Sequence, residues 1–388
     1  DITAEGVGAN VVDVTVNDGP TIRYNNVNAV TLQGKQGDDD ITIDVNGAVG
    51  VAFTVEGGLP TAGSDDLRVT GGAGNDMPNW TPTAVDAGTL ALVSVATPIA
   101  VSGIENLYYD GETDNETLTV TGDSGVSADD GFEHQPGEAA DAGFVGMVVD
   151  GGASLGINYE NLGNDGNVTV AGGAGDNRLV VLGSADSDDL AITFSDTNDI
   201  DVDLTTAYGQ HVDLLSTDVQ NYHFETLGGD DNIDITPTGA LTPVVNASGS
   251  FVIAGGGPGI GTDSLRVTGS DAVETVTIRP DAIRSNQQDI TGLGATIDVS
   301  GIEYVEFAGV DAMDTLVVEN GGGDNVVRVE GGTFVPDRVT SDNLPEIHLD
   351  DFATLRIDQT FGLDTVTFKS GALGGANAYE VLSSSGDS

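Results

Sequence analysis

The chain has 388 residues, with 63 acidic side chains against 11 basic ones and a formal net charge of −52. That balance argues against nucleic acid and against an anionic membrane surface as partners, because basic patches hold both. A hydrophobic share of 38% and an aromatic share of 5% leave little material for a thick core, and no apolar run approaches the ~20 residues needed for membrane insertion.

In chain order, short apolar-x-apolar triplets recur in pairs eleven residues apart. Val30-Thr31-Leu32 is followed by Ile41-Thr42-Ile43, and Leu107-Tyr108-Tyr109 by Leu118-Thr119-Val120. Tyr222-His223-Phe224 precedes Ile233-Asp234-Ile235, Val305-Glu306-Phe307 precedes Leu316-Val317-Val318, and Leu355-Arg356-Ile357 precedes Val366-Thr367-Phe368. Alternation, β-branched residues and flanking Gly or Asn mark these as strands. No segment of about 12 residues or more has helical apolar spacing.

A longer module lies behind the triplets. It opens at Leu67, Leu179 and Leu265, passes Ser102-Gly-Ile-Glu105 and Ser300-Gly-Ile-Glu303, and closes at Leu118, Ile233 and Leu316. Repeats of this kind make one supersecondary unit that buries its apolar face only by stacking on its neighbours. The expected fold is therefore all-β, a parallel β-solenoid. Tandem β-sandwich domains are the alternative, although about eight residues between triplets is long for a tight hairpin. The expected division is an N-terminal cap and first module at 1–63, a second module at 64–178 with an inserted polar loop at 122–138, modules at 179–262 and 263–326, and a shortened C-terminal module and cap at 327–388. The recurring Glu105 and Glu303 read as solvent-facing positions before a buried Ile, with a Glu ladder along one face as the other reading.

The chain lacks cysteine, which excludes disulfides and thiolate chemistry. It begins at Asp1 without a leader pattern and reads as a mature product or a fragment. Asn79, Asn115, Asn167 and Asn246 stand in sequons, which matter only in a secretory setting. Only Lys35 and Lys369 are lysines, and so acidic a chain needs salt or bound divalent cations to screen its self-repulsion.

Adjacent carboxylates at Asp38-Asp39-Asp40, Asp65-Asp66, Asp188-Asp189 and Asp230-Asp231 repel each other. Ca²⁺ takes six to eight oxygens at about 2.3–2.6 Å, and Gly-turn carbonyls can complete its shell. These nine residues are the candidate metal ligands and Ca²⁺ the expected cofactor. The other reading of each cluster is a solvated corner, with Asp holding the turn by hydrogen bonding. Gly172-Gly-Ala-Gly-Asp-Asn177-Arg-Leu179, Asn320-Gly-Gly-Gly-Asp-Asn325-Val-Val327, Gly34-Lys-Gln-Gly37-Asp-Asp39-Asp-Ile41, Leu227-Gly-Gly-Asp230-Asp231-Asn-Ile233 and Gly71-Gly-Ala-Gly-Asn-Asp76 resemble the nonapeptide of RTX-type calcium-binding repeats. In that family, tandem copies stack around Ca²⁺. Here the copies are isolated, and Asn177 stands where the pattern has Asp.

Other constellations point away from catalysis. Gly255 to Gly261 lacks the Lys-Ser/Thr of a phosphate loop and reads as a corner. His134, His211, His223 and His348 lack metal-ligand spacing. Arg266, Arg279 and Arg284 are too dispersed for a polysaccharide lyase. Trp80, the single tryptophan, is expected to cap an end of the core, and so few aromatics argue against sugar platforms. The chain also resembles Gly/Asp-rich secreted surface proteins, as of surface layers and adhesins, in phrases such as Gly-Ile-Glu-x-Val-x-Phe-x-Gly at 301–309. The resemblance implies an extracellular or cell-surface structural protein, not an enzyme, that homo-polymerises through residues 1–26 and 327–388. A calcium-dependent adhesin segment with glycan partners is the alternative, and a polysaccharide-active β-helix enzyme the third reading.

Overall fold

The structure is a computed structural model of the chain. It describes every residue except 48–49, 61–63, 96, 113, 123–128, 150–151, 197–198, 238–249, 257–261, 271–272, 282–283, 285–286, 310–313, 322–324, 333–334, 351–353, 360–364, 369–377 and 384–388. The described residues are strands and connections without helix. The chain forms two compact units, 1–181 with 208–219, and 182–207 with 220–388. The expected modules 1–63 and 64–178 lie in the first, 263–326 and 327–388 in the second, and 179–262 is shared.

In the first unit the strands are β1 (Ile2–Gly8), β2 (Val11–Val16), β3 (Ile22–Asn25), β4 (Ala29–Gly37), β5 (Asp40–Asp44), β6 (Ala52–Pro60), β7 (Asp66–Thr70), β8 (Asn79–Ala84), β9 (Ala87–Ala91) and β10 (Ile99–Ser102). They continue with β11 (Asn106–Asp110), β12 (Thr117–Thr121), β13 (Gly131–Pro136), β14 (Gly143–Val149), β15 (Gly152–Glu160), β16 (Asn167–Ala171) and β17 (Arg178–Leu182). β1, β5, β7, β11 and β15 pair in parallel in one sheet. β4, β6 and β10 pair in parallel in a second, as do β8, β12 and β16. The eleven-residue step therefore carries the chain from one sheet to the other, as in a solenoid, and a hairpin would have kept both triplets in one sheet.

Parity fills the narrow interior. Side chains alternate across a strand, so Ile41, Leu67, Leu107 and Ile157 stand in one buried file, and Ile43, Val69, Tyr109 and Tyr159 in the next. Each such side chain contributes about 1.5–3 kcal/mol relative to exposure. Trp80 is not at an end of the core: β8 has partners on both sides, and the buried indole donates to the Leu155 carbonyl of the opposite sheet at 2.9 Å. A Cβ at Gly88 would collide with its ring.

The solenoid is interrupted by antiparallel meanders. β8 pairs with β12, β9 runs back, and β10 returns to lie beside β6. The chain thus runs ahead and then fills the gap behind it. β15, β14 and β13 repeat the device in the first sheet, with β13 parallel to β17. This corrects the inserted loop expected at 122–138: residues 131–136 are a strand with Phe132 and His134 buried. Their period-two burial is hidden in sequence because one inward residue is a histidine, whose Nε2 lies 2.8 Å from the Tyr159 hydroxyl.

The second unit repeats the scheme. Asp189–Asp196, Asn232–Pro237, Ser264–Thr268, Tyr304–Ala308 and Leu344–Asp350 stack in parallel in one sheet, while Asn221–Glu225, Phe251–Ala254 and Ile297–Ser300 stack in the other. Thr275–Pro280 and Val326–Gly332 each open a further meander. Phe251 packs against Phe194 and Phe224, with ring centroids 5.5 and 5.4 Å away.

Candidate functional site

The buried carboxyls of the interior collect at the corners, and one sequence rule places most of them. An acid or amide stands two residues before the inward apolar residue of a strand: Asp39 before Ile41, Asp65 before Leu67, Glu116 before Leu118, Asn177 before Leu179, Asp231 before Ile233 and Asp263 before Leu265. Two residues on means the same face, so these side chains turn inward. Asp65, Glu116, Asn177, Asp188, Asp231, Asp263, Asp314 and Asn325 are all buried.

Burial demands partners, and the partner is the backbone of the coil alongside. In the first unit the Asp39 N–H donates to the Asp65 carboxylate at 2.9 Å, and the Asp65 N–H to Glu105 at 2.7 Å. The Asp76 and Met77 N–H groups donate to Glu116 at 2.8 and 3.2 Å. In the second unit a four-member column runs from Asp188 through Asp231 and Asp263 to Glu303, at 2.8, 3.0 and 2.9 Å. Glu274 donates likewise to Asp314 at 3.0 Å. Each corner thus closes backbone donors that a strand ladder cannot reach. Glu105 and Glu303 do more than face solvent: each accepts the N–H of the Asp forty residues earlier and closes its own Asp column, one in each unit.

Glycine makes the turn possible. Gly175 and Gly229, two residues before Asn177 and Asp231, have φ of 122° and 130°, a region closed to side chains that carry a Cβ.

The nine sequence-predicted ligands divide by this parity. Asp39, Asp65, Asp188 and Asp231 belong to the columns. Asp66 and Asp189 point outward, accepting from Asn106 and Asn232 at 2.7 Å each. Asp38, Asp40 and Asp230 are exposed. Carboxylates adjacent in sequence diverge, and carboxylates from successive coils converge. Sequence reasoning missed Glu116, Asp263, Asp314 and Asn177 as members of this system, and the acid-x-apolar-x-apolar rule finds them.

Stacking like charges in a dry corner perturbs them. Burial, opposed by the N–H bonds of Asp76 and Met77 and reinforced by the Asp76 and Asp114 charges, pushes the Glu116 carboxyl up to about 7. Burial, with Asp231 and Glu303 beside it, pushes Asp263 up to about 6. Burial raises Asp188 and Asp231 as well. The second oxygens of Asp39, Asp65 and Glu116 are buried without a hydrogen bond. Asn177 solves the same corner differently. Its oxygen accepts from the Asp130 N–H at 3.0 Å, and its amide donates to the Gly173 and Asp218 carbonyls at 3.3 and 2.9 Å. At Asn325 the amide again grips a carbonyl, that of Gly321, at 2.8 Å.

Among the other singled-out residues, His348 lies 2.7 Å from Glu346 and His223 3.6 Å from Glu225. Of the sequon residues, Asn115 is exposed, Asn79 and Asn167 are half-buried in strands, and Asn246 lies outside the described residues, as does the Gly-rich segment 257–261. No protein-family model matches the chain, and no curated protein matches it significantly.

Proposed function

We propose that the chain is a non-enzymatic extracellular structural protein, a subunit of a surface layer, sheath or filament that polymerises through its terminal modules. The observation that carries this reading is the open edge at β3. Among the described pairings β3 joins β2 alone, with Tyr24 opposite Val12 and Ile22 opposite Val14. Val12 is fully buried, yet Tyr24 is 46% and Ile22 52% exposed. Among the described residues the inner apolar face runs on to a strand whose side chains stay about half exposed and whose outer edge is unpaired, and an apolar edge of that kind invites strand pairing with a second copy. Much of the C-terminal contact expected at 327–388 lies outside the described residues.

Ca²⁺ is the proposed cofactor, screening the corner columns around Asp39, Asp65, Asp188 and Asp231. Support comes from the raised carboxyls and from the buried second oxygens of Asp39 and Asp65. Negative-stain microscopy and sedimentation with Ca²⁺ and with chelator test both parts. Wild type should polymerise, and Ile22→Lys with Tyr24→Lys should give monomers with an unchanged melting curve. Wild type that stays monomeric in every condition sinks the assembly reading. Identical melting curves and a flat calorimetric titration sink the cation.

A further inference from the structure

The outer face of the first unit carries a row that the assembly reading does not use. Reading across the strands in register, Arg68 on β7 stands opposite Tyr108 on β11, Tyr108 opposite Asn158 on β15, Asn158 opposite Phe144 on β14, and Phe144 opposite Gln135 on β13. All five face outward, because their strand neighbours Leu67, Leu107, Ile157, Val145 and His134 are buried. The row continues past Arg68 as Thr42, Thr3 and Thr15, so on that side the planar side chains stop at Arg68. A groove of about 280 Å³ opens there, lined by Tyr108, Phe144, Asn158, Gln135 and Glu160.

The two rings are held for presentation. The tip of Phe144 lies where side chains would otherwise stand. A Cβ at Gly156 would come within 2.6 Å of two of its ring carbons, and one at Gly146 within 3.0 Å of another. Glycine at both positions lets the ring lie down on the sheet, leaving its other side to solvent. The Arg68 guanidinium sits 5.7 Å from the Tyr108 ring centroid, in cation–π range. It is anchored by ion pairs to Glu160 and, at 3.4 Å, to Asp110. Tyr108 and Phe144 are two strand spacings apart, about 10 Å, with the Asn158 amide between them and the Gln135 amide beyond.

We propose that this row binds a neutral polysaccharide chain lying across the strands. Aromatic faces stack on the apolar faces of sugar rings; the Asn158 amide gives one N–H to the Leu107 carbonyl at 3.2 Å and the Gln135 amide one to Glu133 at 2.6 Å, which orients each and leaves its second N–H for a sugar hydroxyl. The charge selects within the class: Arg68 is committed to Glu160 and Asp110, and the net charge of −52 repels acidic saccharides. An extended peptide is disfavoured because β11, β15, β14 and β13 are each paired on both sides, leaving no backbone edge to extend.

Affinity electrophoresis in gels containing a soluble β-glucan, a mannan, a galactan or pectate tests the proposal. Wild type should be retarded by at least one neutral polymer and not by pectate. Tyr108→Thr and Phe144→Thr, which extend the existing Thr row, should each weaken retardation about tenfold. Tyr208→Thr, elsewhere on the surface, should leave it unchanged. Gly156→Ala removes no group but presses on the Phe144 ring and on the Val145 carbonyl, 2.8 Å from the added Cβ, and, once its circular dichroism and melting curve show it folded, should weaken binding even if a Thr variant fails to fold. Wild type unretarded by every neutral polymer, preference for pectate, or undiminished binding by folded Tyr108→Thr and Gly156→Ala overturns it.

Discussion

The corner column of the second unit, Asp188–Asp231–Asp263–Glu303, and the Asp130–Asn177 corner of the first do one task with different chemistry. Both cap backbone N–H groups of a neighbouring coil from inside the turn. The acid column stacks like charges, and burial raises the carboxyls of Asp188, Asp231 and Asp263. The Asn177 corner keeps the acceptor and adds two N–H groups that reach carbonyls. An amide therefore satisfies internally what an acid leaves for a proton, a cation or water. Asn in the Asp position of the nonapeptide-like pattern is thus a self-sufficient corner.

Exchanging the two chemistries sharpens this contrast. Asn177→Asp strands the Gly173 and Asp218 carbonyls and adds a buried charge, and should cost about 1–3 kcal/mol in chemical denaturation at neutral pH. Equal stability would mean that water or an ion replaces the amide. Next in size is the pH dependence. Glu116 and Asp263 titrate in the fold near 7 and 6, above their ordinary values of 4.5 and 3.8. The folded state then holds protons that the unfolded state has released. Their stabilising share is complete below the ordinary values and is lost as pH rises through 6 and 7. The melting temperature should fall between pH ~5 and ~8, and Glu116→Gln should flatten the Glu116 part of that fall; an unaltered profile breaks the assignment.

Asp231→Asn keeps the acceptor for Asp188 and removes one charge from the column. It should stabilise the protein by about 0.5–1.5 kcal/mol at pH ~8 and less at pH ~5. Destabilisation at both values would point to a bound cation that needs the carboxylate, linking this variant to the chelator experiment. Smallest of all is Arg23→Ala. Its 2.6 Å ion pair with Asp13 is solvent-exposed, and its loss should leave the melting curve in place.

The solenoid was legible because parity and spacing repeat: Ile41 and Leu118 sit where the eleven-residue step puts them, one in each sheet of the first unit. Parallel stacking also needed no special signal beyond loops too long for hairpins. The meanders were hidden. β9 reads Ala-Gly-Thr-Leu-Ala, too small and too mixed to mark a strand, and β13 carries an inward His134. The longer module was legible in part: Leu67 and Leu265 open similar phrases, each follows a corner closed by a Glu forty residues beyond its Asp, and each pairs with the apolar residue forty positions on, Leu107 and Val305. The corner columns were half legible, since the acids were visible but adjacency was a poorer guide than the two-residue offset. The outer row joins residues as far apart as 68 and 158, and only coil stacking brings them together.

The reversals at β8–β9–β10 and β13–β14–β15 change what a truncation does. In a simple stack, the chain can stop after any turn and leave a finished piece. Here β8 is laid down before the strands that separate it from β6 exist. A chain emerging from the ribosome must hold that place open until residue 102 has been made. Cutting between 84 and 99 should leave an unclosed gap rather than a shorter rod, so the smallest viable fragment is set by where a reversal ends.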